Sequence, residues 1–206
     1  MKINEIINYL DEIIVDPKCE LNYCKDYELL IAVMLSAQTT DKRVNGVTSI
    51  LFKKYNSLEA LANADVNDII DIIRSIGTFN KKAHNVIEIA KSLLNNYNGV
   101  VPNNRDYLES LPGVGRKTTN VVLSELFNEP CIAVDTHIKR VSYRLGLSKK
   151  EDDVLVVEKK LTKTFKNYNA RKIHHQLLLF GRYYCKAINP SCNDCKLKNI
   201  CKKKTN

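Results

Sequence analysis

The chain has 206 residues and sets 32 Lys and Arg against 23 Asp and Glu, a formal charge of +9 at pH 7. A chain this long can bury a core without cross-links, as one domain or two. There is no apolar run of transmembrane length, and the opening MKINEIINYLDE is acidic and amphipathic rather than signal-like; this excludes a membrane-spanning role and leaves the expectation of a cytoplasmic protein whose positive charge seeks a polyanion, nucleic acid ahead of membrane.

Apolar residues recur at helical spacing almost throughout, beginning with Ile3, Ile6, Ile7, Leu10, Ile13 and Ile14, and no stretch sustains an alternation of two. The expected fold class is all-α. Residues 28–35 are apolar nearly all round, which suits a helix at the centre of a helical domain, with Asp26 as its cap. Further helices are expected at about 41–55, 57–64, 66–75 and 80–96, with Gly77 and Gly99 as stops. A short helix from Asp106 to Ser110 leads into a glycine turn, after which helices follow near 116–128, 135–145, 151–166 and 170–184. The pattern Ser148-Lys149-Lys150-Glu151 reads as a capping box for the third of these. No low-complexity linker or internal repeat divides the chain.

The turn itself, Leu111-Pro112-Gly113-Val114-Gly115-Arg116-Lys117-Thr118, makes a helix–hairpin–helix. Glycines at 113 and 115 permit positive φ and a close approach, so that backbone N–H groups can face an anion at the positive end of the next helix. The bland alternative is a plain interhelical turn. The pair Arg116-Lys117 tips the balance towards a phosphate, which would fix position without reading bases. A nucleotide P-loop is disfavoured, because Arg116 intrudes between Gly115 and Lys117 and no strand precedes the loop. Lys117 stands in the first turn of its helix, where the macrodipole and Arg116 both oppose a second positive charge. It is open to two roles: a phosphate contact, or an amine uncharged often enough to attack carbon and form a Schiff base.

Eighteen residues on, Asp135 occupies the N-cap position of a helix that begins Thr136-His137-Ile138. A helix N-terminus also keeps a carboxylate ionised, as stabilisation of a sugar cation would require, and one residue can serve both ends. His137 is expected to be a packing residue.

Four of the seven cysteines fall within seventeen residues as Cys185-x6-Cys192-x2-Cys195-x5-Cys201. In a reducing compartment such spacing points to metal rather than disulfides. Structural zinc typically takes two C-x2-C knuckles and only Cys192/Cys195 forms one, which leans the choice towards a [4Fe–4S] cluster without closing it. Lys186, Lys196, Lys198, Lys202, Lys203 and Lys204 crowd the same segment, where they can balance an anionic cluster or meet a phosphate backbone. Cys19, Cys24 and Cys131 are expected to be small buried hydrophobes.

Taken together, the Leu111–Thr118 hairpin, the Val134-Asp135-Thr136-His137 segment and the cysteine loop closely resemble the endonuclease III family of helix-hairpin-helix DNA glycosylases and AP lyases. Ser36-Ala37-Gln38-Thr39-Thr40-Asp41, Ser75-Ile76-Gly77 and Gly181-Arg182-Tyr183-Tyr184-Cys185 follow the family's order and spacing, so the likeness covers nearly the whole chain. The resemblance implies a six-helix barrel domain over residues 20–130, with the hairpin motif at about 106–126. It also implies a smaller domain, residues 1–19 plus 131–206, with a [4Fe–4S] cluster loop at 185–201. By the same likeness the partner is damaged double-stranded DNA bound by a monomer, with no nucleotide cofactor. Lys117 is the nucleophile, Asp135 its carboxylate partner, and Cys185, Cys192, Cys195 and Cys201 hold the cluster. Gln38, Gly113, Val114, Gly115, Arg116 and Lys186 contact DNA, and Gln38 fills the gap left by an extruded nucleotide. The reaction implied is excision of an oxidised pyrimidine, taken out of the stack because its C1′ is unreachable inside the duplex, followed by β-elimination. Two rivals remain open: a monofunctional glycosylase of the same fold, and a non-catalytic module that grips phosphate. One departure is Thr78, where the family commonly has a leucine wedge, with Phe79 as the neighbour able to take that place.

Overall fold

The computed structural model describes residues 2–202, and every regular element among them is helical, as the periodicity predicts. None of these helices is long and apolar enough to cross a membrane. The chain divides into two compact units: Cys19–Phe127, and the N-terminal stretch through Lys18 together with everything from Asn128 onward.

In the first unit, α2 (Asp26–Leu35) is buried at every position from Tyr27 to Leu35, as its unbroken apolar composition dictates. Its cap lies one residue earlier than expected. Lys25 has the extended backbone of an N-cap, and the Glu28 carboxylate accepts from the N–H groups of Cys24 (2.7 Å) and Lys25, so Asp26 becomes the first helical residue. On α2 pack α3 (Asp41–Lys54) and α6 (Phe79–Tyr97), and against α6 lie α4 (Leu58–Ala62, capped by Ser57) and α5 (Val66–Ile73, capped by Asp65). The stop expected at Gly99 is realised: Asn98 and Gly99 both take positive φ, and the Gly99 N–H donates to Leu93 O. Gly77 does not act as a left-handed stop. That conformation belongs to its neighbour Thr78, at φ +55°, which serves as the N-cap of α6. The unit closes with α7 (Arg105–Ser110) and α8 (Arg116–Phe127), the latter packed on α2.

The second unit places α1 (Lys2–Ile13) beside α9 (Thr136–Arg144), α10 (Val154–Thr164) and α11 (Ala170–Leu179). Its core includes Ile6, Leu10, Ile138, Val157, Leu177 and Leu197, so both the first helix and the cysteine loop are anchored in it. The expected capping box at Ser148 is not used. Asp153 caps α10 instead, accepting from Val156 N at 2.8 Å, while Ser148 is buried with its N–H on Ser142 O and finishes the end of α9. α11 widens into a π-helical turn, Phe180–Tyr184, closed by Cys185 N–H on Phe180 O at 2.7 Å.

Cys19, Cys24 and Cys131 are not buried as expected: Cys24 is exposed and the other two are half-buried. All three lie in irregular connections, before α2 or between α8 and α9.

Candidate functional site

The hairpin is seated by its apolar residues and presents its polar ones. Leu111 and Val114 are buried, while Gly113, Gly115, Arg116 and Lys117 are exposed. Val114 differs from its neighbours: its side chain lies in the core and its N–H donates to Leu111 O (3.1 Å), which closes the turn. Only Gly113 of the two glycines has positive φ, at +78°, with the Asn85 amide and Met34 occupying the space where a Cβ would stand. At Gly115 that space is open. Nothing inside the protein demands a glycine there, but a backbone or phosphate approaching from outside would.

α8 begins immediately after Gly115, whose carbonyl accepts from Thr119 N. The N–H groups of its first turn have no partner within the helix and point out at the positive end of the dipole. Arg116 and Lys117 project from this turn, which gives an anion-attracting surface with a primary amine at its edge.

Gln38 lies in the same unit, exposed, in the turn that follows α2. Its φ of +57° is uncommon for a residue with a side chain, and Thr78 repeats the feature at +55°. Phe79, beside Thr78, is half-buried.

In the other unit Asp135 is the N-cap of α9, as its position predicts, with Oδ1 accepting from Ile138 N at 2.8 Å. His137 is half-buried rather than a core residue, and its Nδ1 lies 3.2 Å from the Arg140 guanidinium. Gly181 packs so tightly here that a Cβ would come within 2.9 Å of the His137 Cβ.

Cys185, Cys192, Cys195 and Cys201 are free, half-buried thiols lining one cavity closed off by Leu145, Phe180 and Leu197. Burial pushes the Cys195 thiol up, and nearby Cys185 and Cys201 add to the effect. The phenol of Tyr9 is pushed up to about 12, by burial first and then by Cys195. Buried Arg144, which sequence reasoning missed, donates to Cys185 Sγ at 3.2 Å, to Cys185 O and to Lys186 O at 2.7 Å. An arginine in the last turn of a helix reads as a dipole partner from sequence; nothing local shows that it reaches 41 residues ahead to a thiol.

Of the lysines crowding this segment, Lys186 is exposed, Lys196 pairs with Glu12 at 2.7 Å and Lys202 lies over the Tyr143 ring. Lys203 and Lys204 lie outside the described residues.

The HhH-GPD family, described as "HhH-GPD superfamily base excision DNA repair protein", matches residues 31–167. Endonuclease III of Bacillus subtilis (strain 168) is 46% identical over 185 residues, covering 90% of this chain and 84% of that one. Endonuclease III of Haemophilus influenzae is 46% identical over 200 residues, covering 97% and 94%. A solved structure of a trapped endonuclease III–DNA covalent intermediate, an estranged-adenine complex, superposes with a TM-score of 0.92 at 45% identity, covering 98% of this chain and 96% of that one. A thermostable thymine-DNA glycosylase shares the fold, with a TM-score of 0.84 at 24% identity.

Proposed function

The chain belongs to the HhH-GPD superfamily of base excision DNA repair proteins and, within it, to the endonuclease III enzymes, which are DNA glycosylases and AP lyases; from that premise we propose that Lys117 is the amine that attacks the lesion nucleotide. The observation that carries the proposal is an exposed lysine in the opening turn of α8, directly behind a glycine hairpin whose outward surface is free of the protein's own side chains at Gly115.

The enzyme takes an oxidised pyrimidine out of the duplex, because neither C1′ nor the base edge can be reached inside the stack. Gly113, Gly115 and Arg116 hold the backbone phosphate by dipole and charge, which sets the register of the strand without reading its sequence. Lys117 Nζ then bonds to C1′ as the bond from C1′ to the base breaks, and the base leaves with a proton. Loss of the nitrogen's proton and opening of the sugar ring give an imine. Removal of a C2′ proton breaks the C3′–O bond, which nicks the strand by β-elimination. Asp135, fixed at the N-cap by the hydrogen bond it accepts from Ile138 N, stabilises the positive charge that develops on the sugar and favours transfer of the amine's proton. Gln38 enters the gap left by the extruded nucleotide.

The donor set around the second unit's cavity suits a [4Fe–4S] cluster better than zinc. The four thiols line one cavity, and only Cys192 and Cys195 are spaced as a C-x2-C knuckle, whereas structural zinc typically takes two such knuckles. Cys185, Cys192, Cys195 and Cys201 would hold the cluster, which when bound supplies a covalent frame that orders the loop carrying Lys186 towards DNA phosphates.

The test is borohydride trapping on duplex DNA that contains an oxidised pyrimidine. Wild-type protein gives a covalent adduct and a nick, and K117A loses both while retaining salt-sensitive binding, because phosphate contacts supply most of the affinity. A K117A protein that nicks abasic DNA at the wild-type rate would defeat the assignment.

A further inference from the structure

Lys82, in the first turn of α6, is a lysine with 4% of its surface exposed. Its ammonium donates to Leu35 O and Ala37 O, each at 2.8 Å, and to Thr39 Oγ1 at 3.4 Å. The acceptors sit at the negative, C-terminal end of α2, where a cation is stabilised by the dipole as well as by direct hydrogen bonds. Burial holds the ammonium below the ordinary lysine range. Enclosed in this way, the nitrogen cannot reach a sugar carbon, so a second nucleophile is not in question.

What these contacts bracket is Gln38. Two of the three acceptors belong to its immediate neighbours, Ala37 and Thr39, and Gln38 itself has the left-handed φ of +57°. A residue with a side chain persists in that conformation only where its surroundings over-determine it. Lys82 also closes a second left-handed turn, because its N–H donates to Thr78 O at 3.1 Å and Thr78 has φ +55°. One residue therefore anchors, by side chain and by backbone, the two exposed turns that carry Gln38 and Thr78–Phe79.

We propose that Lys82 is a positioning residue which holds the Gln38 turn and the Thr78–Phe79 turn at a fixed separation, so that both engage a duplex at the moment a nucleotide is extruded. This rests on the reading of Gln38 as the gap-filling side chain. Neither Gln38 nor Thr78 lies in a helix that would set that separation, whereas a cation tied to the last carbonyl of α2 and to Ala37 O, and seated in the first turn of the helix that Thr78 caps, does.

The experiment compares single-turnover nicking by wild type, K82M, Q38A and K82M/Q38A on two substrates. One is a duplex with a paired oxidised pyrimidine; the other carries an abasic site in a single-nucleotide bulge, which needs no pairing broken and no gap filled. K82M is expected to lose about 10²-fold on the paired duplex, the scale of an ångström-level misplacement, and at least about tenfold less on the bulge. Q38A shows the same bias, the double variant is no worse than the more severe single one, and K82R restores part of the loss. Equal losses of K82M on both substrates, with a lowered Tm, would mean a merely structural role and would overturn the inference. An impaired Q38A beside a fully active K82M overturns it alone, whereas a Q38A protein at full rate on the paired duplex removes the gap-filling reading and this inference with it. Should K82M not fold by circular dichroism, T39V takes its place: a several-fold loss biased towards the paired duplex supports the proposal, and an unbiased or absent loss overturns it.

Discussion

The side-chain amide of Asn85 lies directly beneath Gly113, in the space that a Cβ at that position would fill. Two elements far apart in sequence, α6 and the hairpin, thus meet through a residue with no side chain and a buried asparagine. G113A is expected to cost about 1–2 kcal/mol from the left-handed backbone alone, with further loss from overlap with Asn85 and Met34. G115A has neither problem, so its stability is close to wild type while its affinity for duplex DNA falls. Urea denaturation and a binding titration on both variants check this; a G115A protein that binds as tightly as wild type would remove the phosphate from the hairpin.

The first helix is tied to α11 through Asp11, whose carboxylate accepts from Lys172 Nζ at 2.7 Å and from Gln176 Nε2 at 2.6 Å. The Lys172 hydrogen bond, with Gln176 second, holds the Asp11 carboxyl below its ordinary range. A folded value lower than the unfolded one means the contribution is present above about pH 4, and is lost as the pH falls through the folded value. The pair is largely solvated, so D11N should lower Tm by about 2–4 °C at pH 7, with the gap from wild type closing below about pH 4. Melting curves at pH 7 and pH 3 measure it, and a gap that persists at pH 3 would contradict the linkage.

Metal analysis separates the two readings of the cysteine cavity. The expected protein is brown, with about four irons per chain, and C192S or C195S is colourless. Degrading the cluster should expose the loop from Cys185 onward to protease while Cys19–Phe127 keeps its helical signal. A colourless, active protein with one zinc per chain would overturn the assignment.

Helix capping in the second unit can be tested by single truncations. D153A removes the acceptor for Val156 N and should cost about 1 kcal/mol, whereas E151A, at the N3 position of the expected box, should cost almost nothing. The opposite order in urea denaturation would place the start of α10 where the sequence pattern suggested.

Local patterns were the legible part of this chain. Lys117 behind its glycine turn, Asp135 at a helix start and four cysteines in one loop are each recognisable because the residues that define them are neighbours in sequence, and all three features take the local structure expected of them. The capping error at Ser148 shows the limit: a pattern that could cap a helix was displaced by Asp153, because the Ser148 N–H is taken by Ser142 O at the end of α9 and Asp153 receives Val156 N at the start of α10. The burial of Val114, the seat of Gly113 on Asn85, and the grip of Arg144 on Cys185 depend on partners between 3 and 41 residues away, whose approach is set by packing rather than by periodicity. Lys82 did leave a trace. It stands in register with Val86, Ile89 and Leu93 on the buried face of α6, and a charge at a core position asks for a partner that the local sequence does not name.

The second unit is assembled from both flanks of the first, with Tyr9 near Asp194 and Lys196 paired to Glu12 across more than 180 residues. On the ribosome, α1 emerges first and must wait, its apolar stripe of Ile6, Ile7 and Leu10 uncovered, until α11 and Leu197 have been synthesised. The hairpin-bearing unit, Cys19–Phe127, is continuous in sequence, so all of its residues are present before Asn128 is added. The core of the second unit can therefore close only when both of its flanks are present, so the order of synthesis delays it until α11 and Leu197 have joined α1.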